Sequence, residues 1–192
     1  TIHMGLALLI VAMLLYAADR AQREPTQAIW TESPAIANGG PTANGLQTLL
    51  WLLLLATFIQ IVLGTQVREQ IDHIAAAADY AGRTNWVSQL GSVFKVHRSM
   101  SILVTLLNGY AAYQLWPLAG ARLRRLVAAT LAVLGLEIGA GITLAYLALP
   151  AWVQPVHLTL ATLLFGAQFL TLVAWHRAQA VIKQGQLRPA HA

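Results

Sequence analysis

Five apolar runs, each near the length a helix needs to cross a bilayer, constrain this chain more than any other feature. They cover residues 2–16, 45–67, 96–118, 126–149 and 152–175. A hydrocarbon layer about 30 Å thick takes about 20 apolar residues at a helical rise of about 1.5 Å each. In lipid every backbone N–H and C=O must be paired within the protein, so only helices or closed barrels span it. The runs are continuous and lack the period-two alternation of a barrel strand, which makes them helices. With 57% hydrophobic and 10% charged residues, the composition is that of a helical membrane protein throughout. The expected fold is all-α: a polytopic membrane protein with a four-helix transmembrane bundle and one additional N-terminal transmembrane helix.

The first run is short and opens a chain without an initiating methionine, which reads as a truncated start. A cleaved signal peptide is the weaker alternative, because no basic stretch precedes the apolar run. Cysteine is absent, so disulfides, thiolate metal sites and iron–sulfur clusters are excluded. Redox chemistry in such a chain needs a bound cofactor.

Orientation follows from where the basic residues fall between the runs. Arg20, Arg23, Arg122, Arg124, Arg125, Arg177, Lys183 and Arg188 share one side. Arg68, Arg83, Lys95 and Arg98 share the other, diluted by Glu69, Asp72 and Asp79. The first side is expected to be cytoplasmic, which puts the N-terminus outside and the C-terminus in the cytoplasm of a multi-pass protein of a bacterial inner membrane. These cations flank apolar helices as anchors to lipid headgroups, so the lipid bilayer is the expected partner and nucleic acid is not.

Four units are expected: a lone helix over 1–18, a cytoplasmic linker over 19–44, a four-helix portion over 45–176 with an outer loop at 68–94, and a cytoplasmic tail over 177–192. Within the linker, Pro25, Pro34 and Pro41 with Asn38-Gly39-Gly40 and Asn44-Gly45 predict an irregular connection over 24–44. In the outer loop, the spacing of Trp86, Val87 and Leu90 predicts a short interfacial helix. An internal echo links Gln60-Ile61-Val62-Leu63-Gly64 with Glu137-Ile138-Gly139-Ala140-Gly141. It implies two helix pairs, each entering from the cytoplasm and returning with a His near its outer end.

Depth separates the six histidines. His176 and His191 belong to the basic far end and His73 to the polar outer loop, where a solvated or hydrogen-bonded role suffices. His97 opens the third run, and His157 lies about 7 Å inside the fifth. Both sit shallow on the outer side, where an imidazole is costly unless partnered. Each could bond a carbonyl or hydroxyl of a neighbouring helix. As a pair at matching depth, with no third donor for a zinc or di-iron site, they fit the two axial ligands of a haem iron. Gly64, Gly139 and Gly141 leave space for a flat macrocycle, or simply let helices approach, and Gly135 with Gly139 forms a small-residue pair suited to close helix contact. Arg68, Lys95 and Arg98 stand where propionates would emerge, or snorkel to lipid phosphate. His3 shares the depth of the other two without a partner in this chain. Glu137, at mid-membrane, enters protonated or hydrogen-bonded, either bonding Gln60 or tuning the site.

At these residues the chain resembles the haem A synthase family, in which two pseudo-symmetric four-helix halves each carry a His-Arg pair and a second His on a later helix. Val96-His97-Arg98-Ser99 is similar to the His-Arg element of the C-terminal half, and Gln154-Pro155-Val156-His157-Leu158 to its second His. Leu63-Gly64-Thr65-Gln66-Val67-Arg68-Glu69 resembles the exit from that half's first helix, and Thr1-Ile2-His3-Met4-Gly5-Leu6 the start of the last helix of the N-terminal half. The resemblance implies that His97 and His157 are axial ligands of haem b, with Arg98, Arg68, Gly64 and Gly141 around it. It also implies that His3 belongs to the half where haem O is the substrate and its C8 methyl is oxidised to a formyl group, giving haem A for cytochrome oxidase assembly. The implied partners are the missing N-terminal half, haem O synthase or a second copy of the chain. The family's acidic residue for that oxidation is expected in the N-terminal half, so this chain alone is expected to be catalytically incomplete. Two other readings use the same residues: a cytochrome b type electron carrier or membrane subunit of a respiratory complex, and a haem-free transporter or scaffold with structural histidines.

Overall fold

The computed structural model describes residues 2–22, 41–119 and 121–186. These form five long helices: α1 (Ile2–Gln22), α2 (Pro41–Ala77), α3 (Ser92–Leu115), α4 (Ala121–Tyr146) and α5 (Val153–Gln186). Helices α1, α2, α4 and α5 are each long and apolar enough to cross a membrane. Helix α3 reaches that standard only together with the short segment before it, from which it is bent by 82°. The reason is its first two turns, where Lys95, His97 and Arg98 interrupt the apolar run.

Helices α2 to α5 close a ring in which α2 packs on α3, α3 on α4, α4 on α5 and α5 back on α2, with α3 and α5 standing diagonally across it. The pairs α2–α3 and α4–α5 share the broadest contact. Helix α1 lies outside the ring against α5. It buries Leu8 in the common core, meets Gly166 of α5 through Leu15 at a would-be Cβ distance of 3.0 Å, and ties Asp19 to Arg177 at 2.6 Å. Its other face exposes Leu6, Leu9, Ile10, Met13 and Leu14, which suits hydrocarbon as the solvent.

The main core joins Leu50, Leu53, Leu115, Leu123, Leu172 and Trp175 toward the end of the ring that carries Arg177. Within it lies a polar layer: Gln168 Nε2 donates to Asn108 Oδ1 at 3.2 Å, and Asn108 Nδ2 donates to the Val104 carbonyl at 2.8 Å. A smaller cluster of Val67, Ile71, Ala75, Trp86, Leu90 and Leu149 caps the opposite end. Exposed Tyr80, Tyr146 and Trp152 surround that cap, while Tyr113 and Trp116 ring the far end, as interfacial aromatics do.

The cap corrects the expected outer loop. Val67, Ile71 and Ala75 recur every fourth residue and are buried, so the apolar stripe of α2 carries the helix past Val67 to Ala77. In place of the expected interfacial helix come two 3-10 turns, Arg83–Asn85 and Val87–Gln89, pinned by Trp86 Nε1 donating to the Ala81 carbonyl at 2.9 Å. Helices α2 and α4 end alike: Tyr80 N–H donates to the Ala75 carbonyl at 2.8 Å, and Leu149 N–H to that of Leu144 at 3.3 Å. Asp79 and Ala148 take the left-handed conformation that this ending requires. At the other end, α5 remains helical through the expected tail as far as Gln186, with Arg177 paired to Asp19. Of the expected linker, residues 19–22 belong to α1 and 41–44 to α2, and 23–40 lie outside the described residues; the end of the tail, His191 included, also lies outside them.

Candidate functional site

Beneath the cap, each helix pair builds the same arrangement from a polar residue, a glycine one turn later, and a histidine on the partner helix. On α2 the pair is Gln60 and Gly64, facing His97 of α3; on α4 it is Glu137 and Gly141, facing His157 of α5. Residues four apart share a helix face, so each glycine lies directly along the face from its polar residue.

The glycines are bare because the imidazoles lie against them. A Cβ on Gly64 would stand 3.2 Å from His97 Cε1, and one on Gly141 would stand 3.5 Å from His157 Cε1. The first is too tight for an unrelaxed neighbour and the second is ordinary contact. Gly135 and Gly139, by contrast, have nothing within 4 Å of a would-be Cβ and are exposed. The expected close helix contact at that small-residue pair is therefore absent, because this face of α4 turns away from the ring.

The polar residues act differently. Gln60 Nε2 donates to the main-chain carbonyl of His97 at 3.1 Å, while His97 Nδ1 is buried with no hydrogen-bond partner among the described residues. Glu137 Oε1 stands 3.1 Å from His157 Nδ1, within ion-pair distance although short of hydrogen-bond alignment. The other carboxyl oxygen, Oε2, is buried and has no hydrogen-bond partner among the described residues. Glu137 thus meets His157 rather than Gln60, and of the two roles expected for it the geometry favours the one at the site. Both imidazoles are partly buried, and they come from the two helices that stand diagonally across the ring.

The other expected site residues lie further out. Arg98 follows His97 and is exposed, as is Lys95; Arg68 is exposed and pairs with Asp72 one turn on, at 2.9 Å. His3 is exposed at the start of α1. His73 and His176 are both exposed, and His176 sits edge-on to Trp51 with ring centroids 6.1 Å apart. The amide pair Asn108–Gln168 was not singled out from the sequence. Two amides in separate apolar runs are the signal that could have found it, since a buried amide needs a partner.

No group of three or more His, Cys, Asp or Glu side chains suited to a metal ion occurs among the described residues; the donor set at this site is two imidazoles. Comparison with curated proteins finds no match, and neither does comparison with solved structures. A family model described as COX15-CtaA, cytochrome oxidase assembly protein, matches residues 1–169. The chain belongs to that family of cytochrome oxidase assembly proteins.

Proposed function

We propose that this chain is the haem b-binding portion of a haem A synthase, with His97 and His157 as the axial ligands of the iron. The observation that carries the reading is a repeated arrangement: two imidazoles on diagonal helices, each lying against a glycine of its partner helix. The residues fit the group. His97 Nδ1 is buried with no hydrogen-bond partner among the described residues, the donor set is two imidazole nitrogens, and bis-imidazole ligation needs no third side chain. Haem b, when bound, supplies one-electron transfer. The chain's own residues would hold and orient it. Gln60 fastens the main chain of α3 at the level of His97. Arg98 and Arg68 supply exposed cations at the end where propionates would reach water. The cluster of Trp86, Leu90 and Leu149 covers the site with apolar surface and keeps it dry.

In this reading the oxidation of the haem O C8 methyl to a formyl group belongs to the whole synthase, with His3 of α1 presented to its N-terminal half. The side bearing Arg20, Arg124 and Arg177 is cytoplasmic, in a bacterial inner membrane. The test is optical. Protein purified from haem-replete cells is expected to give a low-spin bis-imidazole spectrum and a haem b pyridine haemochrome. Persistence of that spectrum in a His97→Ala/His157→Ala double variant would overturn the assignment, as would a colourless, folded wild type. Within the same family and with the same ligands, a non-catalytic electron carrier would show the spectrum but never convert haem O, even when joined to the N-terminal half.

A further inference from the structure

The two imidazoles occupy equivalent positions but unequal surroundings. Among the described residues His97 Nδ1 has no hydrogen-bond partner, and Gln60 donates to the main chain rather than to the ring. His157 has a carboxyl oxygen 3.1 Å from Nδ1, and the ring is held between that carboxyl and the bare backbone of Gly141. Glu137 is only 15% exposed, and its second oxygen is buried without a hydrogen-bond partner among the described residues.

We infer that Glu137 is a positioning residue for His157: it accepts the Nδ1 proton in a hydrogen bond, which fixes the tautomer and presents Nε2 as the ligand atom. The inference rests on the haem reading of His97 and His157 given above. A carboxylate or other acceptor behind a ligating imidazole both orients the ring and raises its basicity. The two ligands are therefore unequal by construction. His157 is the stronger, oriented donor, and His97 is held only through its backbone and by Gly64.

The experiment compares the full chain with Glu137→Leu, Glu137→Gln and Glu137→Asp, and with Asp19→Asn, whose partner Arg177 lies at the other end of the molecule, as a variant that leaves both rings untouched. Readouts are haem transfer to apomyoglobin, the midpoint potential by spectroelectrochemical titration, and the low-spin electron paramagnetic resonance signal. Glu137→Leu is expected to lose haem affinity by about 10- to 100-fold. It should also raise the midpoint potential, because the ferric state loses donation. Glu137→Gln should keep more of the haem with a smaller rise, and Glu137→Asp should restore part of the wild-type potential. Asp19→Asn should leave the potential unchanged. If Glu137→Leu does not fold, the potential of Glu137→Gln decides. Potentials and resonance signals identical to wild type across the Glu137 series would overturn this inference and leave the haem reading standing. A wild type without a bis-imidazole spectrum would overturn both.

Discussion

The α2–α3 and α4–α5 pairs share one plan and differ at one atom position. Both set a glycine against an imidazole and a polar side chain a turn before it; both begin from the arginine-bearing end and close at the cap with the same helix ending. In the first pair the polar side chain bonds the backbone of the histidine, and in the second it addresses the ring. Similar scaffolds can thus hold two ligands with different stiffness, and the difference comes from exchanging an amide for an acid on one helix face.

Six substitutions, in four sets, probe how far the likeness goes. The largest effect is expected from His97→Ala and His157→Ala singly. Each should abolish the low-spin spectrum, since six-coordinate iron needs both nitrogens, and a spectrum surviving in either would break the equivalence of the pairs. Next comes Gly64→Ala against Gly141→Ala. The methyl meets His97 at 3.2 Å but His157 at 3.5 Å. Overpacking costs about 1–3 kcal/mol, whereas removing a helical glycine gains about 1 kcal/mol. Haem occupancy should fall clearly in the first variant and stay near wild type in the second; equal losses would mean that both rings are equally confined.

The third set leaves the site for the interior. Asn108→Leu removes the acceptor of the Gln168 amide and should lower stability in detergent by about 1–2 kcal/mol, in line with interhelical hydrogen bonds in lipid. Thermal unfolding measures it, and an unchanged haem spectrum would show that the polar layer and the site are independent. The smallest effect is expected from Asp19→Asn. The pair it forms with Arg177 is partly exposed, so the loss should be below about 1 kcal/mol, read as faster proteolysis of α1 with the ring intact.

Much of this was legible in the chain before any coordinates. The apolar runs are membrane helices because lipid leaves the backbone no other partner, and His97, His157, Gly64 and Gly141 stood out because an imidazole or a bare turn inside such a run demands a reason. Helix ends were less legible. Val67, Ile71 and Ala75 are buried by Trp86 and Leu90 folding back on them, a tertiary contact that local hydropathy does not report. The partner of Glu137 was hidden for a similar reason. Gln60 and Glu137 match each other in the echo, so they looked like mutual partners, but matching positions in two copies of one motif face their own histidines. Gly135 and Gly139 repeat at the spacing of a helix contact, yet that spacing places them on one face without saying which way the face looks.

The ring also has an order of assembly written into its connections. The α2–α3 and α4–α5 contacts are local in the chain, whereas α2 meets α5 only across the whole of the intervening sequence. Hairpins of that kind form early, and the distant closure comes last because it carries the larger loop entropy. His97 belongs to one hairpin and His157 to the other. Neither hairpin alone carries both imidazoles, so a group held by the two would act as a clasp: it would bind the closed ring alone and shift the population toward it by mass action.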